Sequence, residues 1–436
     1  MSAGERSAPR GPYSKAMSTT AANTHDSRTA RAAWHDARAI ALSAGAASPL
    51  PQETVALADA VGRHLAGDLL TDIDLPHFAS AAMDGWLVVG DGPWQLESEV
   101  VERFGDGLPA RGFARPIVTG ALVPPGATAV LRSESGSVAD GVLRSTGAHE
   151  PRPGQHIRPA GMEAARGERI IAADSLLNPA HVALAAATGR DELAVRAVPG
   201  VGLVLTGDEV VTGGIPGPGR VRDSFGVQLP AFIRMLGGTV TGATRVRDDV
   251  DGTARALDEA DAPLVVSTGG TGTSPTDHVR DALRMLDARI LVDGIAMRPG
   301  GPTTLAVLPD GRFVVALPGN PLAAMLGALT VVEPLLAGLA GRPSAPLMPV
   351  VAAAATGRDG ATTLAPFTLV DGRATVTAWR GAAMLRGLAD ASGILVVPEE
   401  GLREGGGADS MVLPWSTGAF DAQLAALGLM TEGRRG

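Results

Sequence analysis

Between residues 201 and 341 the chain alternates strand-like apolar runs with helical patterns, and no other feature narrows its fold as far. The runs at 201–205, 263–267, 290–292 and 313–317 are short and rich in Val, Leu and Ile. A strand covered on both faces needs apolar side chains at nearly every position rather than at alternate ones. Helical spacing occupies 226–236, 252–260, 276–286 and 321–339. Strands joined through helices pair in parallel, so a parallel-sheet α/β domain is expected over 198–341.

In an open sheet of this kind ligands sit beyond the carboxyl ends of the strands, which makes the loops there the first place to look for chemistry. The first strand runs into Thr206, Gly207, Asp208 and Glu209, a hydroxyl and two carboxylates around a flexible turn. The second runs through Ser267 and Thr268 into Gly269, Gly270, Thr271 and Gly272. Glycines there let backbone N–H groups approach and cradle an anion. Asp277, at the start of the next helical pattern, is poorly suited to touch phosphate and well suited to hold Mg2+ against it. Two further loops carry Arg298, Pro299 and Gly300, and Pro318, Gly319 and Asn320. Together they describe a site for an anion and a metal.

Composition removes several chemistries. The chain has no cysteine and one lysine, Lys15, which excludes thiolate metal sites, a cysteine nucleophile and a Walker-type phosphate loop. Its 46 acidic residues exceed 37 basic ones, a net charge of -9, which works against nucleic acid as a partner. No apolar run of spanning length escapes interruption by a charge, Gly or Pro, so no membrane span is expected. Residues 1–31 are polar and aperiodic, without the apolar core of a signal peptide, and read as a disordered tail of a cytoplasmic protein. Helical spacing runs from 32 to about 70, short Gly- and Pro-broken apolar runs fill 72–158, and a strand-rich stretch follows the Pro-rich 343–349.

These loops, in this order, resemble the molybdopterin-binding domain of the molybdopterin molybdenumtransferases, the family of MoeA and the gephyrin E-domain. Upstream, Pro76 and Phe78 with Ser80, Met83, Asp84 and Gly85 are similar to one family segment, and Thr119-Gly120-Ala121 with Pro124 to Val130 to another. The resemblance spans about 35–425. It implies a first, dimer-forming domain from 32–73 and 160–197, an inserted β domain at 74–159, the α/β domain, and a C-terminal β-barrel-like domain at 342–425. It further implies an elongated homodimer that inserts molybdate into adenylylated molybdopterin with release of AMP. By the same resemblance Asp84, Thr119, Glu209, Asp248, Asp277 and Arg298 form the catalytic set, with Glu209, Asp248 and Asp277 as Mg2+ ligands. A MogA-like adenylyltransferase is an implied partner.

The sequence also departs from the family. Lysines usual in the loop around Arg298 are replaced by Arg298 itself, Gly294 and Gly301. Two lost cations at an oxyanion site leave an alternative open, a weakened gephyrin-like paralogue serving as a dimeric scaffold for another protein. Restoring Lys at both glycines is then expected to raise activity. The Thr-Gly-Gly-Thr-Gly loop at 268–272 is reminiscent of the MogA-like adenylyltransferases.

Overall fold

The structure, a computed structural model, describes residues 31–97, 107–147, 151–272 and 278–416. At its centre lies a six-stranded sheet whose strands are designated β1 (Gly200–Leu205), β2 (Thr239–Arg245), β3 (Leu264–Thr268), β4 (Arg289–Asp293), β5 (Thr304–Val307) and β6 (Phe313–Leu317). Their order is β2-β1-β3-β6-β5-β4. β2, β1, β3 and β6 run parallel, whereas β5 is antiparallel to both its neighbours. The parallel reading of the sequence therefore holds for the four strands that flank the loops of interest. Two strands are absent from the sequence reading: β2, a mostly exposed edge strand that still runs parallel, and β5, which departs from the parallel pattern because it turns back to β6 through a connection too short for a crossover.

Helices Phe225–Met235, Val250–Glu259 and Val279–Met285 cover the sheet, and Pro321–Leu339 runs through the core as two α-helical segments joined by a π-helical turn. That last helix is long and apolar enough to cross a membrane by composition, but it is wholly buried inside the fold. Its main partner is helix Trp34–Ala46. Gly45 and Gly338 meet there so closely that a Cβ on Gly338 would lie 2.3 Å from the Leu42 carbonyl oxygen. The helical reading of 32–70 is correct only for its first half. Pro49 and Pro51 end the helix, and Glu53–Ala56 continues as a strand paired with Glu192–Val195.

Two β units flank this core. A six-stranded sheet spans 85–145, with Gly85–Val88 between Phe113–Ile117 and Ala129–Arg132. In the other, Thr362–Val370 pairs with both Arg373–Val376 and Gly393–Val397, closing strands from 347–412 into a barrel. Closure gives each of the five strands within 347–412 a neighbour on both sides. The strand Met297–Arg298, sent from the α/β domain, pairs alongside Thr362 and Thr363.

Candidate active site

The carboxyl ends of β1, β2, β3 and β6 open onto one cleft of about 690 Å3. From β1 come Thr206, Gly207 and Glu209; from the turn after β2, Asp248. β3 contributes Thr268, Gly269, Gly270, Thr271 and Gly272, and β6 contributes Pro318, Gly319 and Asn320. Thus most of the loop residues selected from the sequence meet at one place.

Backbone conformation explains the glycines. Gly269 and Gly270 have φ of +87° and +61°, and Gly207 has +123°, values that side-chain-bearing residues rarely adopt. A Cβ on Gly269 would fall 2.5 Å from Thr206 Oγ1, the hydroxyl that donates to the Thr268 carbonyl at 2.7 Å and ties β1 to β3. Gly269 N–H is itself committed to the Leu317 carbonyl. No partner is recorded among the described residues for the N–H groups of Gly270, Thr271 and Gly272, and Thr268 Oγ1 is buried without one. Orphaned polar groups at a cleft wall are what an oxyanion satisfies.

The carboxylates sort by their partners. Asp223 is buried, accepts from Gly226 N–H at 2.9 Å and is held by Arg245 at 2.5 Å. Asp249 caps helix Val250–Glu259 through Gly252 N–H, whereas its neighbour Asp248 accepts from Asp208 N–H at 2.9 Å and so pins the loop after β1. Glu209 and Asp248 are left facing the cleft, with Arg222 the one cation on its wall among the described residues. Mg2+ is commonly held by one or two carboxylates and completed by substrate phosphate, and this pair fits that need. No group of three potential ligands is gathered among the described residues. Asp277, the third expected ligand, lies outside them.

Several expectations need correcting. Ser267 sits within β3, paired with Val204 on one side and Ala316 on the other, and is fully buried away from the cleft. Asp208 points outward towards Arg247. Arg298, Pro299 and Gly300 do not line the cleft. Recruitment of Met297–Arg298 as a barrel strand fixes that backbone, and the strand's alternation buries Met297 while leaving Arg298 exposed. Gly300 is buried, its φ of +107° bringing it against Met297 and Ala323.

Asp84 and Thr119 come together in the inserted β unit, away from the cleft of the same chain. Thr119 donates to Asp84 Oδ1 through its N–H at 2.6 Å and its hydroxyl at 2.8 Å. These two bonds, the backbone one foremost, hold the Asp84 carboxyl below the usual carboxylate range. Gly85 makes the pair possible: with φ of +156°, a Cβ there would collide with the Leu131 carbonyl oxygen at 1.9 Å.

Sequence reading missed Arg280. Its Nη1 donates to the carbonyls of Thr271 at 2.9 Å and Gly272 at 3.1 Å, and its Nη2 meets Asp293 at 2.8 Å. One side chain thereby fastens the loop after β3 to the end of β4. A lone arginine in a helical pattern carries no sequence signal for that.

Known proteins agree with this architecture. Residues 32–189 match the MoeA N-terminal region (domain I and II), and 202–338 match a probable molybdopterin binding domain. A molybdopterin molybdenumtransferase 2 of Mycobacterium tuberculosis is 32% identical over 373 residues, covering 80% of this chain and 91% of that protein. A molybdopterin molybdenumtransferase of Nostoc is 30% identical over 306 residues, covering 66% and 70%. Among solved structures, a molybdopterin biosynthesis MoeA protein from Pyrococcus horikosii aligns with a TM-score of 0.71 at 25% identity, over 88% of this chain and 99% of that one. The chain belongs to the molybdopterin molybdenumtransferase family.

Proposed function

We propose that this chain inserts molybdate into adenylylated molybdopterin with release of AMP, and that the reaction depends on Mg2+. The observation that carries the reading is the cleft at four strand ends, which is lined both by unpartnered N–H groups with the Thr268 hydroxyl and by Glu209 and Asp248. The donors suit phosphate oxygens, and the carboxylates suit a cation that compensates those oxygens. Glu209 and Asp248, with Asp277, would hold Mg2+, which when bound neutralises the pyrophosphate charge beside the carboxylates. The Gly270–Gly272 amides orient the phosphates, and they can offset charge on the leaving AMP when the phosphoanhydride bond breaks.

Asp84 and Thr119 enter this reading through a second copy of the chain. Both are exposed, and Asp84 is held towards its ionised form by two bonds while neither residue lines the cleft at the four strand ends. A homodimer that brings the partner's pair to the cleft gives that carboxylate a role. A MogA-like adenylyltransferase would supply the adenylylated substrate in the same cytoplasmic compartment.

The direct test is AMP release on adding molybdate to adenylylated molybdopterin across a Mg2+ titration. Wild type is expected to release AMP in a Mg2+-dependent manner, and Asp277→Asn to lose that dependence and most of its rate while melting normally. Wild-type turnover by Asp277→Asn at every Mg2+ concentration would remove Asp277 from the metal site. Light scattering at micromolar concentration is expected to give a dimer, and an active monomer would end the shared-cleft reading.

A further inference from the structure

Arg31, which composition places in the polar tail, is fixed to the end of the sheet. Ala32 N–H donates to the Gly294 carbonyl at 3.2 Å, and Ala296 N–H donates to the Ala32 carbonyl at 2.8 Å. The Arg31 side chain then lies across two glycines. A Cβ on Gly294 would be 3.5 Å from Arg31 Cγ and Nε, and one on Gly301 would be 3.2 Å from its Nη1. Both glycines are buried, and the guanidinium has no hydrogen bond or ion pair recorded among the described residues.

We propose that Arg31 is an oxyanion-binding residue of the cleft, seated against Gly294 and Gly301; the assignment rests on the reaction proposed above. Sheet direction supports the placement. Asp293 pairs with Thr304, and Thr304 with Ala316, so the 294–303 loop emerges at the same end of the sheet as Pro318 and Asn320. Pro302, next to Gly301, is part of the cleft wall. β4 lies two strand spacings from β6, roughly 10 Å, a distance within the length of a pterin joined to a nucleotide. Charge supplies the need: three carboxylates line a cleft meant for oxyanions, of which Asp223 is paired with Arg245, and Arg222 is the one arginine on its wall among the described residues, so a free guanidinium at its margin reduces that imbalance. The oxyanion is either a nucleotide phosphate or molybdate, both tetrahedral and doubly charged.

Calorimetric binding of AMP and of inorganic molybdate, each alone and at two salt concentrations, distinguishes these sources. Arg31→Met keeps the alkyl stem on Gly294 and removes the charge. It is expected to weaken binding of one of the two anions by about tenfold or more and to flatten its salt dependence, with melting unchanged. Arg31→Lys is expected to recover part of the loss. Whichever anion weakens is the one Arg31 holds. Wild-type affinity of Arg31→Met for both anions overturns the assignment, as does a fall in melting temperature that tracks the loss of binding through both variants. If wild type binds neither anion, the proposed reaction itself falls and the assignment with it, a result distinct from a selective effect at Arg31.

Discussion

Gly269 and Gly270 in the turn after β3, and Gly294 and Gly301 between β4 and β5, stand in loops of similar composition at the same end of one sheet. Their glycines meet different needs. In the first loop, positive φ and the closeness of Thr206 leave no space for a Cβ, and the unpartnered backbone donors line the cleft. In the second, Gly294 also has positive φ, but the loop packs against Arg31, brought from another part of the chain, whose guanidinium together with the Met297 and Ile295 carbonyl oxygens would crowd a Cβ on Gly301. A glycine can thus mark a backbone whose donors are left open or one against which another part of the chain packs, and only the neighbours tell which.

The sharpest way to break the comparison is Gly269→Ala. The new methyl would meet Thr206 Oγ1 at 2.5 Å in a conformation with φ of +87°, so the Thr206 bond to Thr268 must open. The backbone strain costs about 1–2 kcal/mol and the lost hydrogen bond about 1 kcal/mol. Thermal melting is expected to show the sum, and AMP release to fall at least 100-fold as the donors move, by roughly 3 kcal/mol of transition-state stabilisation. Near wild-type turnover would mean that these amides do not bind the reacting phosphates.

Arg280→Ala comes next. It frees the Thr271 and Gly272 carbonyls and leaves Asp293 without its arginine, loosening both loops at their shared fastening. Being partly exposed, the ion pair contributes only about 0–1 kcal/mol to stability. Activity is expected to fall by about 10- to 100-fold, since small misplacements of binding groups are costly. A variant that loses stability but no activity would make Arg280 a purely structural tie.

The contrast also shows what was legible in the sequence. β1, β3 and β6 and the loops behind them were visible because buried parallel strands write continuous apolar runs, and turns between strand and helix need glycine. The edge strand β2 was not, because Thr239, Gly242 and Thr244 on an exposed edge carry no such run. Sequence points to Arg298 as the cleft cation because it is the one guanidinium in its Gly- and Pro-rich loop and stands where the family carries a lysine, whereas Arg31 and Arg280 reach the loops only through folding.

Gly294→Lys has a smaller effect and reverses a sequence expectation. Adding lysine at this position was expected to restore a missing charge. With φ of +78° the substitution carries strain of about 1–2 kcal/mol, and its stem would enter the space held by Arg31. Displacing one cation with another leaves the net charge of the site unchanged. AMP release is therefore expected to fall a few-fold, with a lower melting temperature. A clear gain in rate at normal stability would show that the loop has room for both cations and that wild type is short of charge.

The smallest expected effect tests the region outside both loops. Thr119→Val removes the hydroxyl donor to Asp84 but keeps the backbone N–H, the larger cause of the lowered carboxyl pKa. The Asp84 pKa is expected to rise part of the way towards the ordinary carboxylate range, read by carboxyl-carbon NMR titration. The sign for stability follows from the depressed folded value. The contribution is fully present above the unfolded pKa and is lost as pH falls through the folded one, so wild type and Thr119→Val differ near neutrality and converge in acid. Asp84 stays ionised at neutral pH in both proteins. Any loss of AMP release there reports the position of the carboxylate, and an unchanged rate with a shifted pKa would show that the backbone bond alone holds Asp84 in place.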